Sequence, residues 1–271
     1  MIFLKAFKLS ERKIGNPNIY PYNVLRGKSP DVFVFDKVTV LYGSNGCGKS
    51  TMLNIIANKL NLEGKERDNP PVLGHRQYFK EFVDECGFTL GENENGRPLY
   101  AVPQASRYFK SEEILYEVRK IQQDAVLSES IEVDIKRRVL PSYEDPQKRF
   151  DIIQFGQDKF SNGETTMRFL ENNLHANALY LLDEPEVSLS PQNQVKLAEM
   201  INQSARLLGN QFIISTHSPF MLGTLNAKIY DLDTMHFEIK QWTQLGNVRY
   251  FYNFFNDRRE EFFPTKKALT K

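Results

Sequence analysis

Residues 41–53, LYGSNGCGKSTML, constrain the fold more than any other stretch of the chain. An apolar run precedes them and a helix-like run follows. Between the two stands G-x-x-x-x-G-K-S, with Gly43, Gly48, Lys49 and Ser50 in its fixed places. Gly43, Gly46 and Gly48 allow backbone conformations that turn successive N–H groups inward. With the start of the next helix, those groups form a nest for an anion. The expected cradle is Gly43, Ser44, Asn45, Gly46, Cys47, Gly48, Lys49, Ser50 and Thr51. Lys49 would reach the outer phosphates of a nucleotide, and the Ser50 hydroxyl would ligate Mg²⁺. Cys47 reads as a small space-filler, although a glycine turn that matches by chance has the same letters.

The rest of the chain must agree with a strand–loop–helix unit, and it does. DVFVFDKVTVLYG (31–43) reads as strands, the second ending at the loop, and KSTMLNIIANKL (49–60) reads as a helix with Leu53, Ile56 and Leu60 on one face. Residues 61–104 are turn-rich, interrupted by a short helix in QYFKEFVDE. SEEILYEVRKIQQDAVL (111–127) predicts a stronger helix with a stripe at Ile114, Val118, Ile121 and Ala125. Residues 128–158 read as an exposed connection. Ser161-x-x-Glu164 is a capping box and predicts a helix start. ALYLLDEP (178–185) and QFIISTHSP (211–219) read as buried strands. A helix follows the first of them, with Ser190 as N-cap and Pro191 in its first turn. Residues 228–242 alternate like edge strands, and the aromatic-rich end, NVRYFYNFFNDRREEFF, is a helix candidate with a core or dimer face.

Three apolar runs thus end in polar chemistry. In a parallel α/β sheet, ligands sit at the carboxyl ends of the strands. Asp183 would hold the metal, Glu184 would polarise an attacking water, and His217 would orient it. An acidic pair capping a helix, and a histidine at a strand end, are the structural alternatives. FSNGE supplies a second anion site at Ser161, Asn162, Gly163 and Glu164. If two protomers pack head to tail, this helix start of one closes over the nucleotide of the other in an isologous dimer. A simple capped helix is the alternative.

Composition sets the outer limits. The chain has 271 residues, 41% of them apolar, enough for a substantial core. Its net charge of +1 gives no global field toward nucleic acid or membrane. The local basic clusters, in residues 1–30, at 136–138 and at 266–271, read as solvated faces. Two cysteines, Cys47 and Cys86, imply no disulfide framework and suit a reducing compartment. The N-terminal segment does not read as a signal peptide and no run matches a membrane span, so the expected location is cytoplasmic.

GSNGCGKST, FSNGE, LYLLDEPEVSLSP and FIISTHSP, in that order, resemble the ABC-type ATPases: Walker A, signature motif, Walker B with catalytic glutamate, and switch histidine. The resemblance spans roughly residues 20–240. It implies an α/β P-loop NTPase of ABC-ATPase type, with a RecA-like lobe built on a mostly parallel sheet and a helical lobe bearing the signature. The lobes would cover about 1–104 with 176–271, and about 105–175. ATP and Mg²⁺ are the implied cofactors, and ATP hydrolysis in an ATP-sandwiched homodimer is the implied activity. DEPE, LSP and THSP look like the stand-alone AAA-type branch near the SMC-like and double-strand-break-repair ATPases. YPYNV at 20–24 is similar to small members of that group. Transporter ATPases more often carry LSGGQ and DEPTSALD. Glu164 agrees with SMC-like signatures, whereas Asn162 departs from both patterns. About 110 residues separate the loop from FSNGE without sustained heptads, so no coiled-coil arm is expected. Gln104 stands at a workable distance for the Q-loop, with Ser111 or Glu112 as alternatives. Tyr20 and Tyr22 are candidates for adenine stacking, or for the core. The chain reads as an ATPase that drives or gates a partner protein, with DNA repair or defence against foreign DNA as the analogous processes. The other readings are the ATP subunit of a transporter and a slowly hydrolysing regulatory subunit.

Overall fold

The structure is a computed structural model and describes residues 1–12, 14–16, 18–25, 28, 32–66, 77–93, 95–116, 119–120 and 162–263. For residues 162–164 it describes the backbone alone.

Five parallel strands and one antiparallel edge strand form the main sheet. They are β3 (Val38–Tyr42), β5 (Arg107–Lys110), β6 (Leu179–Asp183), β7 (Gln211–Ser215), β8 (Lys228–Asp231) and β9 (Glu238–Ile239), in the order β5-β6-β7-β3-β8-β9. Every residue of β3, β6 and β7 is buried. Their side chains alternate between two cores. Leu41, Leu179, Leu181 and Ile213 face one core, together with Met52, Leu53, Ile55 and Ile56. Val40, Tyr42, Tyr180, Leu182, Phe212 and Ile214 face the other, with Leu197, Ala198 and Ile201. Both faces of the sheet are covered, which is why these strands read as unbroken apolar runs.

The helix after the loop, α1 (Lys49–Lys59), buries more than the expected stripe: Met52 through Ala57 are all buried. The reason is its position. It shares a core with the main sheet on one side, and with Phe3, Phe7 and Phe82 on the other. Phe82 belongs to α2 (Tyr78–Glu85), the expected short helix. Phe7 lies in a second sheet and Phe3 just before it; this sheet, β2-β1-β4, is made of β1 (Leu4–Lys8), β2 (Phe33–Val34) and β4 (Gly87–Leu90), all antiparallel. A buried amide links the two sheets. Gln211 accepts from the N–H groups of Phe3 and Leu4, each at 2.8 Å, and donates to the carbonyls of Leu4 at 2.8 Å and Asp36 at 3.1 Å.

Several expectations need correction. β4 lies in a stretch expected to be turn-rich. It is a short strand with three of its four residues exposed, so no burial pattern marks it. Within 228–242, β8 is an inner strand, parallel to β3, and β9 alone lies at an edge. β5 pairs in parallel with β6, so the main sheet extends into the segment expected to be the helical lobe. Residues 111–116 and 119–120 are helical as expected. The rest of that helix, the connection at 128–158 and the side chains of the Ser161–Glu164 capping box lie outside the described residues. α3 (Asn162–Asn173) does begin where the capping box predicts. α4 (Pro191–Leu207) carries Ser190 as N-cap, its side chain accepting from the Asn193 N–H, and Pro191 in the first turn. α5 (Pro219–Thr224) is capped in the same way by Ser218. At the far end, α6 (Gly246–Asp257) and α7 (Arg259–Phe262) form the expected helix in two pieces. Their aromatic rings are not core: Tyr250 is 68% exposed and Phe255 51%.

Candidate active site

The sheet register brings the three polar strand ends level. Leu41 of β3 and Asp183 of β6 both pair with Ser215 of β7. The glycine loop, the Asp183–Glu184 pair and the Thr216–His217 pair therefore leave adjacent strands on one edge.

In the loop, Gly46 and Gly48 have φ of +82° and +107°, a region that side chains with Cβ rarely enter. At Gly48 a Cβ would also sit 2.9 Å from Cγ1 of Val24. Gly48 leads directly into α1, so the first N–H groups of the helix point toward the cradle. Cys47 is half-buried, and its Sγ fills the space where a Cβ on Gly43 would lie 2.4 Å away. Burial pushes its thiol above the ordinary value. Asp233, just beyond β8, braces the loop by accepting from both the N–H and the hydroxyl of Ser44.

Lys49 is buried at the centre. Its Nζ donates to the carbonyls of Gly43 at 3.0 Å and Ser44 at 3.2 Å, and lies 3.5 Å from Glu184 Oε1. The same Glu184 oxygen lies 3.4 Å from His217 Nδ1. Glu184 has φ of +45°, unusual for a residue with a side chain. Its N–H is held there by the carbonyl and hydroxyl of Ser215, each at 3.0 Å. Such a backbone turns the carboxylate away from the strand direction and toward the lysine and histidine.

Asp183 is buried beside it. Ser50 Oγ donates to Asp183 Oδ1 at 3.1 Å, the Ser215 hydroxyl donates to the same oxygen, and the Tyr108 hydroxyl reaches Oδ2 at 3.4 Å. Burial raises the Asp183 carboxyl above the usual range, against the hydrogen bonds from Ser215 and Ser50 that lower it. Burial, and then the charge of Asp183, likewise raise the Tyr108 phenol. The Ser50–Asp183 pair offers hard oxygen donors, the chemistry that Mg²⁺ takes.

A further carboxylate stands behind. Glu186 is buried, and its Oε1 accepts from the Thr216 hydroxyl and from the His217 N–H at 3.3 Å. Among the described residues its Oε2 is buried with no partner. Burial pushes this carboxyl upward as well. Behind His217, the Asn247 side chain donates to the His217 carbonyl at 2.7 Å, and the Asn247 N–H donates to the Tyr42 hydroxyl at 3.0 Å.

Lys49, Ser50, Asp183, Glu184 and His217 are thus brought together. Ser44, Asn45 and Thr51 line or flank the loop. Tyr20 stacks on Phe79 at 5.7 Å and lies near Thr51 and Asn54, which places it beside the first turn of α1. Tyr22 is core: it is buried edge-on against Phe82, and its hydroxyl reaches Glu85. Gln104 does not reach the site. It precedes β5, whose carboxyl end, Lys110, is the residue level with Asp183. Four strand residues, about 13 Å, separate the two edges. Ser111 and Glu112 follow Lys110 and stand on the correct edge. Ser161 lies outside the described residues, and Asn162, Gly163 and Glu164 open α3 in backbone alone. The sequence reading missed Ser215, Thr216, Glu186, Tyr108, Asp233 and Asn247. Ser215 and Thr216 could have been found from their place at the end of a strand already assigned to the site. Tyr108 and Asn247 carried no local signal.

A family model described as an AAA ATPase domain matches residues 163–222. That span holds Asp183, Glu184 and His217 but not the glycine loop. No curated protein matches the chain. Among solved structures, an SMC head bound to the C-winged helix domain of ScpA is 17% identical over 84% of this chain and 93% of its own, with a TM-score of 0.43. The SMC head domain from Thermotoga maritima is 14% identical over 85% and 94%, with a TM-score of 0.36. A nucleotide-free ATP-binding cassette from an ABC transporter is 12% identical over 85% and 87%, with a TM-score of 0.44. None of these likenesses assigns the chain a role, which rests on its own residues.

Proposed function

We propose that this chain binds ATP with Mg²⁺ and hydrolyses it by attack of water on the γ-phosphate. One observation carries this reading: a single oxygen of Glu184 lies within 3.5 Å of both Lys49 Nζ and His217 Nδ1, next to a glycine loop. Lys49 is held by two loop carbonyls and a carboxylate, all acceptors that phosphate oxygens can replace. The loop N–H groups and the start of α1 receive the remaining phosphate charge. Ser50 and Asp183 are the residues that would hold Mg²⁺, which when bound neutralises phosphate charge. Glu184 takes the proton of the attacking water as its oxygen bonds to phosphorus and the bond to the ADP oxygen breaks. His217 orients that water and the γ-phosphate oxygens.

The site is half of a larger one in this reading. Ser161 and Gly163 of a second protomer close over the nucleotide, so ATP joins two chains head to tail and hydrolysis separates them. The cycle drives or gates a partner protein on another chain. DNA is a candidate partner of the assembly, by analogy with the repair ATPases.

Glu184→Gln tests the core of this. The variant should bind ATP, fail to release phosphate and gain an ATP-dependent contact between protomers, seen in size-exclusion chromatography as a larger species than the nucleotide-free one. A species whose size saturating ATP and Mg²⁺ leave unchanged overturns the head-to-tail model. Phosphate release at the wild-type rate overturns the role of Glu184. For DNA, the ATPase rate with and without duplex is the measurement. An unchanged rate and no salt-dependent binding reject it.

A further inference from the structure

The end of the chain carries an exposed aromatic surface that the ATPase reading leaves unused. On α6 and α7 the rings of Tyr250, Phe251, Phe254, Phe255 and Phe262 are between 40% and 68% exposed. They form one patch. Ring centroids lie 6.5 Å apart for Tyr250–Phe251, 5.4 Å for Phe254–Phe255 and 6.2 Å for Phe255–Phe262. The i, i+4 spacing places Tyr250 beside Phe254, and Phe251 beside Phe255. A monomer rarely leaves so continuous an apolar face in water.

We infer that this face is a nucleotide-independent dimer interface with a second copy of the same chain. Two arguments select a copy over a different partner. The first is area. These rings expose about 500 Å² at ordinary aromatic sizes, so two copies face to face would remove about 1,000 Å², the threshold of a specific interface. The second is charge. Arg249 is the one charged residue at the amino end of the pair of helices. At the other end Asp257, Glu260 and Glu261 outnumber Arg258 and Arg259 by one. Arg258 is already engaged, 4.0 Å over the Phe254 ring and bonded to the Phe254 carbonyl. Arg249 and the acidic end are separated by eight residues or more, about 12 Å along the axis, too far to pair within one chain. Antiparallel packing about a twofold axis places each Arg249 against the acidic end of the other copy. Such an arrangement is self-complementary, as an isologous contact requires. A face with no net charge offers no comparable match to nucleic acid or an anionic membrane.

The contact sits close to the site. Asn247, the second residue of α6, holds the His217 carbonyl, and Val248 is buried in the core beneath it. The dimer does not depend on the ATPase reading, because it forms without nucleotide, where an ATP sandwich cannot.

Sedimentation velocity on the nucleotide-free full chain, across a concentration series, tests this. The wild type should be a dimer. Tyr250→Ser with Phe254→Ser should lose it while keeping the wild-type circular dichroism. Arg249→Glu should lose it too, and adding Glu260→Arg with Glu261→Arg should restore it. A wild type that is monomeric throughout, that assembles without limit, or that dimerises with ATP alone overturns the proposal. So does a dimer that survives both variants, which would place the contact elsewhere.

Discussion

The carboxyl edge of the main sheet and the α6–α7 pair are incomplete in opposite ways. At the sheet edge, chemistry is polar and inward. Lys49, Ser50, Asp183, Glu184 and His217 hold one another in the space a ligand would enter. On α6 and α7 the surface is apolar and outward, and every residue from Arg249 to Phe263 is exposed. The first arrangement is set by strands buried on both faces, which cannot shift without disturbing two cores. The second is tied down through Asn247 and Val248, with its rings left facing water. A polar group out of water needs partners, and an apolar ring in water needs cover. The difference points to a division of labour: rigid strands arrange the reaction, and an exposed surface element arranges the assembly.

The sharpest way to separate the two regions is Glu184→Gln. Loss of a positioned proton acceptor should lower kcat by about 10²–10⁴-fold, with ATP affinity retained. The nucleotide-free oligomeric state should not change. A changed oligomer without nucleotide would mean that the two regions are not independent.

Cysteine chemistry offers the next contrast. Cys47 is half-buried in the glycine loop, while Cys86 is buried, with its thiol pushed up to about 11. Iodoacetamide at pH 8 should label Cys47 first, counted by mass spectrometry. That label adds bulk where Sγ already fills the gap beside Gly43, so it should block nucleotide binding. Prior ATP should protect the thiol. Labelling of Cys86 first would contradict the burial order.

Glu186 gives a smaller effect, and one of definite sign. Burial raises its carboxyl in the folded chain, with His217 as its ionisable neighbour at 4.0 Å and Glu184 two residues before it. The folded state then holds the proton more tightly than the unfolded one. Its stability contribution is fullest in acid, and it falls as pH rises from the ordinary carboxylate value toward the raised folded value. Glu186→Gln removes that loss. Near neutral pH the variant should unfold at a higher temperature than the wild type, and near pH 4 the two should match. Equal differences at both pH values would show that the charge of Glu186 is irrelevant.

The sequence was most readable where local chemistry dictates local shape. The glycine loop needs its glycines at φ values that other residues avoid, and the cap at Ser190 marks a helix start by itself. Asp183, Glu184 and His217 were legible because each ends an apolar run. What escaped was set by pairing across the sheet. Tyr108 reaches Asp183 because β5 lies beside β6, and no local pattern announces that register. Gln104 failed for the same reason: spacing along the chain suited the role, while the parallel direction of β5 put it on the wrong edge. β4 escaped because an exposed strand has no burial alternation to read.

The finest test concerns the joint itself. Asn247 donates from its side chain to the His217 carbonyl at 2.7 Å, so it fastens the start of the aromatic helix to the turn that presents the histidine. The side chain is reachable by water, so its hydrogen bond contributes modestly. Asn247→Ala should cost about 1 kcal/mol, a fall of about 2–4 °C in Tm. If α6 merely rests on the domain, nothing else should change. If it helps to fix His217, kcat should fall at unchanged KM, because binding rests on Lys49 and the loop while orientation of water rests on the histidine. Asn247→Asp keeps the shape but offers a carboxylate to that carbonyl, so it should lower kcat at least as far. Wild-type kcat in both variants would uncouple the helix from the reaction and leave it to the dimer alone.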